Sequence, residues 1–195
     1  MSLKHAILGF LSIRPLTGYD LKKAFDQSVR HFWPANQSQI YRTLSELDEQ
    51  GLVEKEVIAR EERLDMKRYS ITAQGRQVLR QWLAAPLPTQ ETREPLLIQV
   101  FFAGLLADAE LLPVLEHHLH EIEQQLAFFG DLYRASLAQV PADAPQRALF
   151  MSLLTLEYAL SSHAQARDWL QAAIRRLRTG DYTPTALSQL VATRA

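Results

Sequence analysis

Residues 38–53 read SQIYRTLSELDEQGLV, which predicts a helix, a glycine stop and the start of a strand. Ile40, Leu44 and Leu47 recur at i, i+4 and i+7, the spacing of one helical face. Gly51 follows where glycine can adopt the left-handed conformation that ends a helix. We therefore expect an amphipathic helix from about Ser38 to Gln50, anchored by its aliphatic face. Its other face is polar and comprises Ser38, Gln39, Tyr41, Arg42, Ser45 and Glu46.

Two helices are predicted before this one. Residues 3–13 are apolar on most sides, which indicates a buried helix that stops at Arg14-Pro15. Thr17 and Asp20 have the spacing of a capping box, so a second helix should begin there. Its apolar face would comprise Leu21, Ala24, Phe25 and Val29.

Two strands and a fourth helix are predicted after it. Residues 52–58 and 67–71 have strand character, and the short charged segment between them suits a hairpin loop. Thr72 is a good N-cap for a helix that runs through Leu83. The order helix, helix, helix, hairpin, helix is that of a winged helix-turn-helix, in which the third helix enters the major groove of DNA.

The predicted third helix and hairpin carry side chains suited to DNA. Glutamine can pair with adenine and arginine with guanine in the major groove, and hairpin cations can hold phosphates. A polar helix face or a charged hairpin alone is more often only solvated, so the hypothesis depends on their combination. The candidates are Ser38, Gln39, Tyr41 and Arg42 on the helix and Lys67 and Arg68 on the hairpin, with Arg60 and Arg63 opposed by Glu61, Glu62 and Asp65.

Several spaced motifs resemble those of PadR-type transcriptional regulators. They are LTGYDL at 16–21, SQIYRTL at 38–44, GLV at 51–53 and RYSITAQG at 68–75. The resemblance covers about residues 3–85 and implies a winged helix-turn-helix domain over residues 1–85 that binds double-stranded DNA. It also adds Tyr19 to the DNA-binding candidates. Many relatives have a strongly basic wing tip, whereas residues 60–65 are mixed in sign, which favours Lys67 and Arg68 over Arg60 and Arg63 for phosphate contact.

The rest of the chain is predicted to be almost entirely helical. Pro86 and Pro88 mark a boundary, and helices are expected from Glu94, from Asp108 to about Gln139 and from about Gln146 to Arg178. Long helices with apolar stripes need a partner to cover them. Residues 86–195 therefore predict a helical dimerisation domain, and they resemble the C-terminal domain of the longer PadR-type proteins. The overall expectation is a mainly α chain with one small β-hairpin.

Composition excludes several classes of protein. The 195 residues include no cysteine, which excludes disulfides, cysteine nucleophiles and thiolate metal sites. No apolar run is long enough to span a membrane and no signal peptide is recognised, so a cytoplasmic protein is expected. Residues 1–85 have a net charge of +3 and residues 86–195 a net charge of −4. A polyanion would therefore bind to the N-terminal part of the chain. Phosphate loops, nucleophile elbows and HExxH motifs are missing from the sequence, which argues against an enzyme.

Two further groups of side chains could bind a small ligand or a metal. His117, His118 and His120, with Glu116 and Glu121, form pairs on adjoining helix faces that do not converge on a metal, so no metal or cofactor is expected. Aromatic groups could line an effector pocket, since some PadR-type regulators release DNA on binding phenolic acids or other aromatic compounds, but core packing without a ligand is the favoured interpretation. These groups are His31, Phe32, Trp33, Tyr158, His163 and Trp169.

We therefore expect a sequence-specific repressor that binds a palindromic operator as a homodimer and could respond to a small aromatic effector. The alternative is a winged-helix module that binds another protein without reading DNA.

Overall fold

The structure is a computed structural model that describes residues 2–58, 66–88, 93–138 and 146–186, without the side chains of Ser2 and His31. The chain divides into two compact units, Met1–Glu91 and Thr92–Ala195, called here the winged-helix unit and the helical unit. The described residues are mostly helical with one small antiparallel sheet, which confirms the expected fold class. In the described ranges, no helix combines the length and apolar character needed to cross a membrane.

The winged-helix unit contains the four predicted helices and the two predicted hairpin strands in the predicted order, together with an additional short strand and a 3₁₀ turn. They are α1 (Ser2–Ile13), β1 (Leu16–Thr17), α2 (Gly18–Gln27), a 3₁₀ turn (Val29–His31), α3 (Gln37–Glu49), β2 (Val53–Ile58), β3 (Met66–Ile71) and α4 (Ala73–Ala84). The wing loop with Arg60 and Arg63 lies outside the described residues.

Local hydrogen bonds set the helix ends. Thr17 Oγ1 accepts from the Asp20 backbone N–H at 3.0 Å, and the Asp20 carboxylate accepts from Thr17 N–H at 3.4 Å, which confirms the capping box. Thr72 caps α4, since its Oγ1 accepts from Gly75 N–H at 3.1 Å. Gly51 has a φ of +66°, the left-handed conformation expected after α3.

The sheet has three strands rather than the two predicted. Its order is β1-β3-β2, with both pairs antiparallel, and Leu16 and Thr17 pair with Tyr69 and Arg68 of β3. Strand β1 was not predicted, because two residues are too few to show an alternating pattern. This short strand leads directly into α2, and it therefore ties the start of α2 to the wing.

One apolar core supports α3. Ile40, Leu44 and Leu47 are completely or almost completely buried, together with Ile7 and Leu8 of α1. The aliphatic stripe predicted for α3 is thus its anchored face. At the other end of the core, a Cβ on Gly75 would lie 2.1 Å from the Leu52 carbonyl oxygen, so α4 can approach the start of β2 only with glycine there.

The described part of the helical unit contains α5 (Pro95–Phe102), a 3₁₀ turn (Ala103–Leu105), α6 (Asp108–Ala138) and α7 (Gln146–Thr179). The two long helices pack on each other through two apolar clusters. One contains Leu111, Leu115, Leu170 and Ile174, and the other contains Phe129, Leu153, Leu156 and Ala159. The predicted helices are therefore present.

Candidate nucleic-acid interface

The N-terminal end of α3 is fixed by a second capping box. Asn36 Oδ1 accepts from Gln39 N–H at 2.9 Å, and Gln39 Oε1 accepts from Asn36 N–H at 3.0 Å. The Gln39 carbonyl oxygen is thus already used, while its amide N–H groups remain available as donors. Adenine is read by a glutamine through both its oxygen and its nitrogen, so Gln39 would have to leave the cap to do so.

The polar side of α3 is open to solvent within the winged-helix unit. Ser38, Gln39, Tyr41 and Arg42 are exposed, and the side chain of Arg42 keeps 83% of its accessible surface. Arg42 Nε donates to Glu46 Oε1 at 3.1 Å, one helical turn later. The Nη groups of Arg42 have no hydrogen-bond partner among the described residues, so the fork that pairs with guanine is free. These four side chains are called the α3 face below.

Tyr41 rests on the start of α2. A Cβ added to Gly18 would lie 2.5 Å from Tyr41 Cε1 and 2.6 Å from Cζ, distances that no real side chain could accept. The missing side chain of Gly18 is therefore what lets the Tyr41 ring lie there. Tyr19 follows in the same turn and is 69% exposed. The fold thus brings the first turn of α2 beside the α3 face.

The two wing cations lie on opposite faces of β3. Successive strand residues project to opposite sides, and buried Tyr69 marks the side toward the core. Lys55 is the register partner of Tyr69 on β2 and donates to Asp48 of α3, so this side of the sheet faces α3. Burial raises the pKa of Tyr69. Lys67 shares that side, whereas Arg68 points away from it. Lys67 is therefore on the side of the sheet that faces α3, and Arg68 is on the other side.

Acidic partners hold several of the cations in this region. Arg68 donates to Glu56 Oε2 through Nη2 at 2.6 Å and Nε at 3.2 Å, and Glu56 is its register partner on β2. Lys55 binds Asp48 at 2.5 Å, and this hydrogen bond raises the pKa of Lys55. Lys67 has no ion-pair partner among the described residues. Neither of these two pairs, nor the pair of Arg42 and Glu46, was predicted from the sequence. Only Arg42 and Glu46 have the i,i+4 spacing from which a pair could have been found.

Aromatic groups predicted to line a pocket are divided between the two units. Phe32 and Trp33 border a cleft of about 520 Å³ in the winged-helix unit, which also includes Trp82 stacked on His5 at 4.4 Å. Trp169 borders another cleft of about 520 Å³ in the helical unit. Tyr158 and His163 line neither cleft. Tyr158 is 76% exposed, and the His163 ring packs edge-on against Phe129 with the ring centroids 5.1 Å apart.

The histidine cluster on α6 forms pairs with its helical neighbours. His117 Nε2 lies 3.6 Å from Glu121 Oε1, and His118 Nδ1 lies 3.5 Å from Glu121 Oε2. His120 bonds Gln124 at 2.8 Å. In the part of the chain that the structure describes, these and other donor side chains form no cluster of three or more placed to hold a metal.

Comparison with protein families gives two matches along the chain. Residues 7–81 match the model of the transcriptional regulator PadR-like family. Residues 92–178 match the model described as virulence activator alpha C-term. Each match falls within one of the two compact units.

Individual proteins and solved structures are similar over nearly the whole chain. The negative transcriptional regulator PadR of Bacillus subtilis is 28% identical over 173 residues, covering 88% of this chain and 95% of the relative. The crystal structure of that protein with operator DNA has a TM-score of 0.81 at 28% identity, covering 91% of this chain and 99% of the other. Its structure with p-coumaric acid has a TM-score of 0.76 at 27% identity, covering 90% and 95%. These similarities are to a regulator of transcription, in agreement with the expectation that the chain is not an enzyme.

Proposed function

The chain belongs to the PadR-type transcriptional regulators, and on that premise we propose that it is a sequence-specific repressor that binds a palindromic operator as a homodimer. One observation carries the proposal. The α3 face is open to solvent, while the opposite side of the same helix is held by Ile40, Leu44 and Leu47 in the core. A helix fixed in this way can enter a major groove without losing its packing.

Within this proposal the residues have different roles. Arg42 reads guanine through its free Nη groups, and Tyr41 and Ser38 contact the edges or the backbone beside it. Gln39 contributes an amide donor while its oxygen stays in the cap. Tyr19 and Lys67 flank the α3 face and would hold phosphates, which position the protein without specifying a sequence. Arg68 makes the smaller contribution because it is bound to Glu56 on the other side of the wing.

Exposed apolar side chains support the dimer. In the helical unit, Phe101 is 80% exposed and Leu105 is 87% exposed, and both lie on the short segment of α5 and its 3₁₀ turn. An exposed apolar face of this kind suits a two-fold interface between subunits. Such an interface would place two recognition helices, one from each subunit, on the DNA. Two readers related by a two-fold axis match a palindromic site.

The direction of regulation and the effector are proposed from relatives. The Bacillus subtilis relative is named a negative regulator and has been crystallised with p-coumaric acid. We propose repression here, with release by a small aromatic compound, and a cytoplasmic location where the chromosome can be reached. Transcription in vitro from a bound promoter would fall on adding the protein and recover with p-coumaric acid. Stimulated transcription would instead make the chain an activator.

Selection of bound duplexes from random DNA, followed by gel shift at fixed salt, tests operator binding. We expect a palindromic sequence to be enriched. Arg42→Ala should weaken binding by about 1–3 kcal/mol and relax preference at one base position of each half-site. Arg80→Ala is the matched control, because Arg80 is exposed on α4 and belongs to no part of the α3 face. If no sequence is enriched, the protein-interaction alternative is favoured.

A further inference from the structure

Helix α3 carries a carboxylate on the same side as its arginine. Arg42 Nε donates to Glu46 Oε1 at 3.1 Å, and the two side chains keep 83% and 50% of their accessible surface. A negative charge on a helix that enters a groove between phosphates is repelled by them. Glu46 therefore weakens binding to DNA unless it has a role of its own.

Helix stability does not explain this pair. An acidic residue stabilises a helix best when it precedes its basic partner by four positions, because it then lies nearer the positive end of the helix dipole. In α3 the order is reversed, since Arg42 comes first and Glu46 lies in the last turn. Exposed ion pairs also contribute little to the free energy of unfolding. The role of the pair is better sought in what it does to Arg42.

The pair leaves most of the Arg42 guanidinium free. Its Nε–H group is bound to Glu46, while the N–H groups on both Nη atoms have no hydrogen-bond partner among the described residues. Because a guanidinium is planar, holding Nε at a carboxylate restricts the plane of the whole group. The two Nη atoms then form a fork that matches the O6 and N7 acceptors of guanine.

The carboxylate also changes the balance between bases and phosphates. Opposite charges this close offset each other, so Arg42 beside Glu46 attracts a phosphate less than a lone arginine would. Specificity is a difference between two affinities, and it increases when the phosphate contact weakens while the base contact is retained. We propose that Glu46 is a positioning residue that fixes the Arg42 guanidinium for guanine and keeps it from phosphates. This inference rests on the proposed function, in which Arg42 reads guanine.

The competing idea is that Glu46 reads a base itself. Its Oε2 atom has no hydrogen bond in the described part of the chain, and a carboxylate can accept from the N4 amino group of cytosine. The exposed fractions favour positioning, because Arg42 is the more exposed of the two and Glu46 is already bound to it. Direct reading would assign Glu46 a base pair different from that of Arg42.

Nuclear magnetic resonance of the protein without DNA tests the contact itself. The Arg42 Nε–H signal is identified by its loss in Arg42→Lys. Its hydrogen should exchange with water several-fold faster in Glu46→Ala than in the parent, because its acceptor has been removed. Glu49→Ala is the matched control, since Glu49 is exposed on the same helix and forms no salt bridge among the described residues. Unchanged exchange in Glu46→Ala would overturn the proposal.

Gel shifts then compare the duplex that the parent selects from random DNA with a scrambled duplex of the same composition. The base pair read by Arg42 is the one at which Arg42→Ala loses preference. Glu46→Ala should lower the preference at that base pair about threefold to tenfold, a part of what a bidentate contact provides. It should also tighten binding to the scrambled duplex and steepen its salt slope by about 1, since Arg42 becomes free to bind a phosphate.

Two further variants separate orientation from charge. Glu46→Gln keeps an acceptor for Arg42 Nε, so it should retain most of the base preference that Glu46→Ala loses. Glu49→Ala removes the same charge, so it should tighten binding to the scrambled duplex without changing that preference. Alanine favours helix, so circular dichroism should show α3 intact in both alanine variants.

The results distinguish failure of the inference from failure of the proposed function. Equal losses of preference in Glu46→Ala and Glu49→Ala would overturn the positioning role. A loss at another base pair that persists in Arg42→Ala/Glu46→Ala would also overturn it, because Glu46 would then read a base directly. If the parent selects no sequence, the proposed function fails and guanine reading fails with it. The resonance measurement needs no DNA, so it shows separately whether Glu46 holds Arg42.

Discussion

At the scale of single residues, Gly18 matters for DNA binding through the side chain that it lacks. It has no side chain, and the Tyr41 ring occupies the space where one would be. Glycine is ordinarily unfavourable within a helix, so alanine at this position would be expected to help a free helix. In this protein, however, the methyl group of an alanine at position 18 would displace the Tyr41 ring of the α3 face.

Gly18→Ala is therefore expected to weaken operator binding by about 1 kcal/mol or more, a magnitude typical of a lost base contact. The measurement is a double-mutant cycle by gel shift with Tyr41→Ala. Once Tyr41 has been removed, Gly18→Ala should cause little additional loss. Gly9→Ala is the control, because its new Cβ would meet nothing within 4 Å. Additive losses in the cycle would show that Gly18 does not act through Tyr41.

The two wing cations should differ although they are neighbours in sequence. Lys67 lies on the side of β3 that faces α3 and has no ion-pair partner among the described residues, while Arg68 is bound to Glu56. We expect Lys67→Ala to weaken binding to all sequences and to reduce the salt slope by about 1. Arg68→Ala should change the slope much less. Titrations at several salt concentrations measure this, and equal slopes for the two variants would contradict the assignment.

At the scale of elements, short-range patterns predicted most of the winged-helix unit. The capping boxes, the stripe of Ile40, Leu44 and Leu47, and the left-handed Gly51 all depend on residues within a few positions of one another. Strand β1 was missed because its only signal is its pairing with β3. Arg68 and Glu56 were not seen as a pair, since that requires the register of β2 against β3. Contacts set by register cannot be obtained from local spacing.

Thr72 joins two elements and should matter more for stability than a typical cap. Its Oγ1 accepts from Gly75 N–H in α4 and donates to the Gly51 carbonyl oxygen at 2.8 Å, directly after α3. Thr72→Ala is expected to lower the free energy of unfolding by about 1–2 kcal/mol in urea denaturation. Ser45→Ala is the control, because Ser45 only bonds the Tyr41 carbonyl within α3, and its loss should cost under about 0.5 kcal/mol. Similar losses in the two variants would refute the bridging role.

At the scale of the whole molecule, the sequence predicts the secondary-structure elements of each unit better than it predicts the positions of the clefts. The cleft of the helical unit takes residues from Val100 to Tyr182, which approach one another only because α6 and α7 fold back on each other. The six aromatic groups were predicted to share one pocket, but the fold places Phe32 and Trp33 in the cleft of the winged-helix unit and Trp169 in that of the helical unit. Distances of this kind follow from packing along whole helices, which no single motif encodes.

The exposed apolar face of α5 and its 3₁₀ turn leads to a prediction about dimer formation. Phe101 and Leu105 are 80% and 87% exposed, so replacing them removes almost no packing within the chain. Burying two such side chains against a second copy would contribute about 1.5–3 kcal/mol each. The Phe101→Asp/Leu105→Glu protein should therefore keep its helical content by circular dichroism but sediment as a monomer.

The same double substitution should weaken binding to a whole operator but not binding to a single half-site. A monomer reads one half-site, so binding to a palindrome should weaken steeply, while contact with a single half-site stays as in the parent. Gln99→Glu is the matched control, since it adds a negative charge on α5 at an exposed polar position. Analytical ultracentrifugation and gel shifts on whole and half operators measure both effects. A double variant that still sediments as a dimer would move the interface elsewhere on the chain, because charged side chains at these two positions could not remain buried without partners.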